Sequence, residues 1–222
     1  VPERPVTNST ESHPGVGAFM GNGFSKRVRR ILHTEGVRGL VLKALYDLGW
    51  RRFFLLRSSL ADPPPPSLGN VPLTFVWLER DTMTEYLMLC PSTRVDEVVA
   101  NLASGDRCLL ARHNGSVVGA IWASTQYAAS FPNLPLPADG VYLYDLFTTP
   151  SHRGLAVAPM LLFDMMRTYR IDGRLSAFML VFCANTPALR AALKAGFGVA
   201  AVVTRVEIGP FRRDSIRPTV MV

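Results

Sequence analysis

The segment TTPSHRGLAVAPMLL, Thr148 to Leu162, joins an apolar strand-like stretch to an apolar helix-like one through a turn made of its smallest residues. A helix start leaves its first backbone N–H groups without intrahelical acceptors and carries the positive end of the macrodipole. Small side chains there let an anion reach the main chain. Gly154, Ala156 and Ala158 meet that need, and Arg153 adds a fixed positive charge suited to phosphate. Pro159 falls in the first helical turn, where its missing N–H costs no hydrogen bond. The same small residues also suit close packing of a helix on a sheet, and this segment alone leaves both readings open.

The flanking pattern sets the fold class. Four prolines at 63–66 form a stiff extended linker. Beyond them PLTFVWLE reads as a strand, TMTEYLMLC and RVDEVVANLAS as short helices, and RCLLARHNGSVVGAIWAS as a hairpin turning at Asn114-Gly115. A Pro-rich loop, Phe131 to Pro137, precedes the strand VYLYDLFTT. A helix from Ala156 to Arg170, the strand AFMLVFC, the helix PALRAALKA stopped by Gly196, and a last strand VAAVVTRVEI complete the order. This predicts a mixed α/β domain over 71–222. Ahead of it, WRRFFLLRSSL reads as a strand and residues 25–48 as two amphipathic helices, so 25–70 form a basic extension of helices, strand and Pro-rich linker. Residues 1–24, polar and rich in Pro and Gly, read as a disordered tail.

Residues 1–70 hold 10 Lys and Arg against 5 Asp and Glu, so most of the net charge of +7 lies there. Those cations would meet an acidic carrier protein or an anionic membrane surface, or simply form a solvated helix face. Nucleic acid is not expected, because the basic segment has no stacking or reading element. The three cysteines have no C-x-x-C spacing and the histidines no ligand spacing, so neither a disulfide framework nor a metal site is predicted. No apolar stretch suits a membrane span or an N-terminal leader, and the expected location is the cytoplasm.

A second segment, ANTPALRAALKAGF from Ala184 to Phe197, follows a strand about thirty residues downstream of the first. Together with PSHRGLAVAPMLL it resembles the GNAT superfamily of acyl-CoA N-acyltransferases. The family's phosphate loop, Arg/Gln-x-x-Gly-x-Gly/Ala, falls on Arg153, Ala156 and Val157-Ala158. Its downstream motif, Asn-x-x-Ala-x-x-x-Tyr-x-Lys-x-Gly-Phe, falls on Asn185, Ala188, Ala192, Lys194, Gly196 and Phe197. Ala156 replaces the central loop glycine, and Ala192 replaces a tyrosine that in many members protonates the departing thiolate.

The resemblance implies a mostly antiparallel, twisted sheet that splays at the cofactor site between flanking helices. It implies acetyl-CoA or another acyl-CoA held by Phe147, Arg153, Gly154, Leu155, Ala156, Val157, Ala158 and Asn185, without a metal. The backbone at Leu146-Phe147, bulged in the family, would donate to the thioester carbonyl, and Asp145 would deprotonate the amine. Asp145 also suits a solvated or ion-paired position, and alternation places Tyr142 and Tyr144 on the opposite strand face, in an acceptor pocket or in the core. Cys183 would lie near the thioester or be an inert thiol, and His152 would touch phosphate or face solvent. Transfer of a short acyl group to a small-molecule amine is the expected activity. Two alternatives are a long-chain acyl-CoA or acyl carrier protein as donor, and a non-catalytic acyl-CoA-binding module. Oligomeric state is not legible.

Overall fold

A computed structural model describes residues 49–61, 71–126, 134, 136–208 and 211–219. The tail, the two helices expected over 25–48, the four prolines and most of the Pro-rich loop lie outside the described residues. The elements run β1 (Trp50–Ser59), β2 (Thr74–Trp77), α1 (Met83–Leu89), α2 (Val95–Ala103), β3 (Arg107–His113), β4 (Ser116–Ser124) and β5 (Gly140–Thr148). A 3-10 turn (Pro150–His152), α3 (Val157–Ile171), β6 (Ser176–Phe182), α4 (Thr186–Lys194), β7 (Gly198–Ile208) and β8 (Phe211–Pro218) follow.

The described strands form one eight-stranded sheet in the order β2-β3-β4-β5-β6-β1-β7-β8. All neighbours pair antiparallel except β5 and β6, which are parallel because α3 carries the chain back across the sheet. The hairpin turns where Asn-Gly chemistry puts it: Asn114 at φ 50° and Gly115 at φ 79° both occupy the left-handed region that a tight two-residue turn demands. The strand read ahead of the prolines is β1, an interior strand held on one side by β6 and on the other by β7. The sheet therefore draws on residues from both sides of the linker.

VAAVVTRVEI is not the last strand. β8 adds an edge, pairing with β7 from Ala201↔Pro218 to Ile208↔Phe211. Its side chains are exposed along nearly its whole length, so it lacks the apolar alternation that marks a half-buried strand. What anchors it is Arg205, buried on β7, whose Nε and Nη2 donate to both carboxylate oxygens of Asp214 directly opposite, at 2.7 and 3.0 Å.

Two layers of side chains cover the sheet. On one face α3 lays Val157, Leu161, Leu162, Met165, Met166 and Tyr169, a helical stripe, over Leu109, Ile121, Leu143 and Met179. On the other, Tyr86 and Leu89 of α1 and Val98 of α2 pack on Cys108, Leu110 and Trp122, whose indole N–H donates to the Tyr86 hydroxyl at 2.8 Å. Gly119 on β4 lets the first turn of α3 seat closely, since a β-carbon there would stand 3.0 Å from both Val157 and Leu161 side chains and 2.9 Å from the Phe147 carbonyl. Among the described residues no helix is long and apolar enough to cross a membrane.

Candidate active site

The parallel pairing of β5 with β6 stops at Leu143↔Met179, although β5 continues to Thr148 and β6 to Phe182. The two strands part beyond that point and leave a cleft, with the loop before α3 and the start of α4 at the same end. On its other side β5 loses register with β4 between Tyr144↔Trp122 and Phe147↔Ala120, where Asp145 and Leu146 of β5 stand against the single Ile121 of β4. This is a β-bulge, and Asp145 within it has φ 48°. Asp145 and Leu146 thus have no cross-strand partner in register on either side, while Phe147 regains register opposite Ala120.

The bulge overturns simple alternation. Leu143 and Leu146 both pack toward α3, and Tyr144 and Phe147 both pack toward α1 and α2, a spacing of three rather than two. Asp145 is exposed, and its charge acts on Cys90, Cys108, Tyr142 and Tyr144. Surrounding protein desolvates it enough to raise its pKa above the usual carboxylate range, and the like charge of Glu97 adds to the rise.

Tyr142 and Tyr144 stack at 5.9 Å, and Trp122 stacks on Tyr144 at 6.1 Å. Tyr142 is buried in the core, whereas half-buried Tyr144 donates its hydroxyl to the carboxylate of buried Asp106. Burial and that carboxylate push the Tyr144 pKa far up, so the phenol keeps its proton.

The loop after β5 takes the shape that its small residues permit. Gly154 has φ 84°, and Ala156, at φ 63°, caps the start of α3 in the left-handed conformation that glycine adopts at lower cost. Among the described residues the N–H groups of Gly154, Ala156, Val157 and Ala158 have no backbone acceptor. The N–H of Leu155, expected to join them, instead donates to the His152 carbonyl at 3.4 Å and is used within the turn. Arg153 is exposed, its Nε donating to the Thr148 carbonyl at 3.4 Å.

His152 is half-buried. Its Nε2 lies 3.1 Å from Nδ1 of His113, and its Nδ1 lies 3.0 Å from the hydroxyls of both Thr149 and Ser151. This ties the loop to the end of the β3–β4 hairpin. Spacing along the chain gave His113 no role, because its partner is 39 residues away.

Asn185 accepts a hydrogen bond from the Ala188 N–H at 3.3 Å and caps α4, and Ala192 on that helix is fully buried. Cys183 is half-buried beyond the end of β6, its N–H donating to the Arg52 carbonyl at 3.0 Å.

A splayed parallel pair, one of its strands bulged, and a small-residue loop opening a helix define an architecture as well as a cleft. The family model described as Acetyltransferase (GNAT) family matches residues 73–197. The chain belongs to the GNAT acetyltransferase family. No curated protein matches the sequence significantly.

Among solved structures, a GCN5-related N-acetyltransferase from Sphaerobacter thermophilus superposes with a TM-score of 0.54 at 18% identity, over 82% of this chain and 58% of its own length. The GNAT chain thus spans less than two thirds of that relative. A GCN5-related glucosamine N-acetyltransferase region of a fungal multi-domain β-N-acetylglucosaminidase gives 0.53 at 11% identity, over 76% of this chain and 22% of the other. The aminoglycoside N-acetyltransferase AAC(6')-Iy, solved in complex with CoA, gives 0.50 at 18%, over 65% and 95%. At these identities the likeness is one of fold.

The residues at this GNAT cleft fit an acyl-CoA. Its arm of amides would run along the out-of-register backbone at Asp145 and Leu146 and meet the Thr148 hydroxyl, which is buried without a hydrogen-bond partner. Its phosphates would meet the amides of Gly154 and Ala156 to Ala158, beside Arg153. Among the described residues no group of three or more His, Cys, Asp or Glu is placed to hold a metal ion.

Proposed function

We propose that this GNAT protein transfers an acetyl or other short acyl group from acyl-CoA to the primary amine of a small molecule, by direct attack with both substrates bound. The observation that carries the reading is the bulge at Asp145, which leaves Asp145 and Leu146 without an in-register partner on either neighbouring strand, beside a carboxylate at the mouth of the β5–β6 splay. When bound, acyl-CoA supplies a thioester already activated toward amines. The Leu146 N–H, with Phe147 beside it, would donate to the carbonyl oxygen as it gains negative charge; such donors are commonly worth about 3–4 kcal/mol.

Asp145 would take the proton that the amine sheds. Its raised pKa suits that task, since a base works best when its pKa nears the operating pH, and a positioned base contributes roughly 10²–10⁴-fold. Ala192, buried and without a proton to give, supplies none to the departing thiolate, so that proton comes from another group or from water. Arg153, Gly154 and the amides of Ala156 to Ala158 would hold the diphosphate, while Asn185 acts at one remove by capping α4.

Thiol release from acetyl-CoA over a panel of primary amines tests this reading, with parent, Asp145→Asn and Arg153→Ala proteins. We expect Asp145→Asn to lower kcat about 100-fold or more. Arg153→Ala should mainly raise the KM for acetyl-CoA. Equal turnover by all three proteins would remove these assignments, and CoA binding without turnover of any amine would favour a non-catalytic module.

A further inference from the structure

We infer that the acceptor is a primary amine carried on an apolar body, lying in the cavity beside Phe147 with its nitrogen at Asp145; the inference rests on the acyltransferase reading above. The cavity, about 610 Å³, is in the size range of small-molecule sites. Met88 and Leu89 at the end of α1, Val117 of β4 and Phe147 of β5 line it, together with the polar Glu85, Ser116 and Thr149.

Three observations join this cavity to the bulge. Phe147 stands two residues beyond Asp145 on the same strand, a distance of about 7 Å. The bulge turns Phe147 to the α1 side, where the cavity lies. Cys90, between Leu89 and Pro91, feels the Asp145 charge. An amine at Asp145 therefore points its body past Phe147 and along the cavity floor.

Charge then selects the body. Glu85 is paired with Arg112, so its carboxylate is already neutralised. Asp145 makes no ion pair among the described residues, and its charged neighbour Glu97 has the same sign. Asp145, two residues from the Phe147 wall and not itself part of the lining, thus offers uncompensated negative charge for one ammonium group at the cavity's margin. The walls offer mostly apolar carbon, with the Ser116 and Thr149 hydroxyls but no free carboxylate, so a second or third cation would lose its hydration without gaining a charged partner. An alkyl or aryl body loses nothing there, and each methylene it buries is worth about fourfold in affinity.

The test uses the full chain and the series propylamine to hexylamine, with 2-phenylethylamine, glucosamine and spermidine for contrast. Two readouts are taken: thiol release with saturating acetyl-CoA, and calorimetric binding of each amine to protein saturated with CoA. We expect KM and Kd to fall about fourfold per methylene along the alkyl series. 2-Phenylethylamine should rank with hexylamine, and glucosamine and spermidine at least tenfold below both. Met88→Lys, at a position 77% exposed and so tolerant of charge, should flatten the chain-length slope while CoA affinity stays at the parent value. Amine binding that does not change with chain length, or a preference for spermidine or glucosamine, overturns the inference. Chain-length-dependent binding without thiol release would uphold the pocket and overturn the acyltransferase reading instead.

Discussion

Replacing Ala156 by glycine should make this protein more stable, against the usual effect of glycine. At φ 63° the Ala156 methyl sits in a conformation that costs an L-residue roughly 1–2 kcal/mol. Glycine removes that cost but adds about 0.5–1 kcal/mol of chain entropy to the unfolded state. The net gain is about 0.5–1 kcal/mol, a rise of about 1–4 °C in Tm for a chain of this size. Ala158→Gly is the control, because Ala158 lies within α3 in ordinary helical backbone, where glycine costs about 0.5–1 kcal/mol. Thermal unfolding of the two variants should shift in opposite directions. Calorimetry should find CoA binding to Ala156→Gly at least as tight as to the parent, since a methyl leaves the loop that would hold the diphosphate. If Ala156→Gly lowers Tm as Ala158→Gly does, the left-handed cap is wrong and the argument for exposed loop amides loses its geometry.

Further expectations test other links. Gly119→Ala would press a methyl within about 3 Å of the Phe147 carbonyl and the Val157 and Leu161 side chains. It should cost about 1–3 kcal/mol in denaturant unfolding and weaken CoA binding by shifting the first turn of α3; an unchanged midpoint would refute the close seating. Because folding raises the Asp145 pKa, its carboxylate form carries a stability penalty that is absent below the unfolded value of about 3.9 and complete above the folded one. Asp145→Asn should therefore raise Tm at neutral pH and leave it unchanged near pH 3, and equal shifts at both would contradict the desolvation argument. Asp214 runs the other way: the Arg205 hydrogen bonds lower its pKa, so its contribution is present above about 3.9 and lost as pH falls through the folded value. Asp214→Ala should cost about 3 kcal/mol at neutral pH by leaving Arg205 buried beside no carboxylate at that position, with the difference from parent vanishing in acid.

Most of the fold was legible where local chemistry and burial agree. Asn114-Gly115 specifies its turn by the backbone conformations it tolerates, and the stripe from Val157 to Tyr169 reads as a helix because one face is buried. β8 was not legible, since a strand exposed on both faces carries no alternation; its pairing depends on β7 and on the Arg205–Asp214 contact.

The sequence by itself determined which residues are small, which are charged and in what order strands and helices come, and from these the loop at Gly154 to Ala158 and its family could be read. The tertiary structure alone decided three things. It placed the bulge at Asp145, met His113 with His152, and formed an open cavity between the end of α1 and β5. The physical reason is the same in each case. A bulge has no local signature unless glycine marks it, and contacts between residues tens of positions apart form only when the sheet has fixed its register.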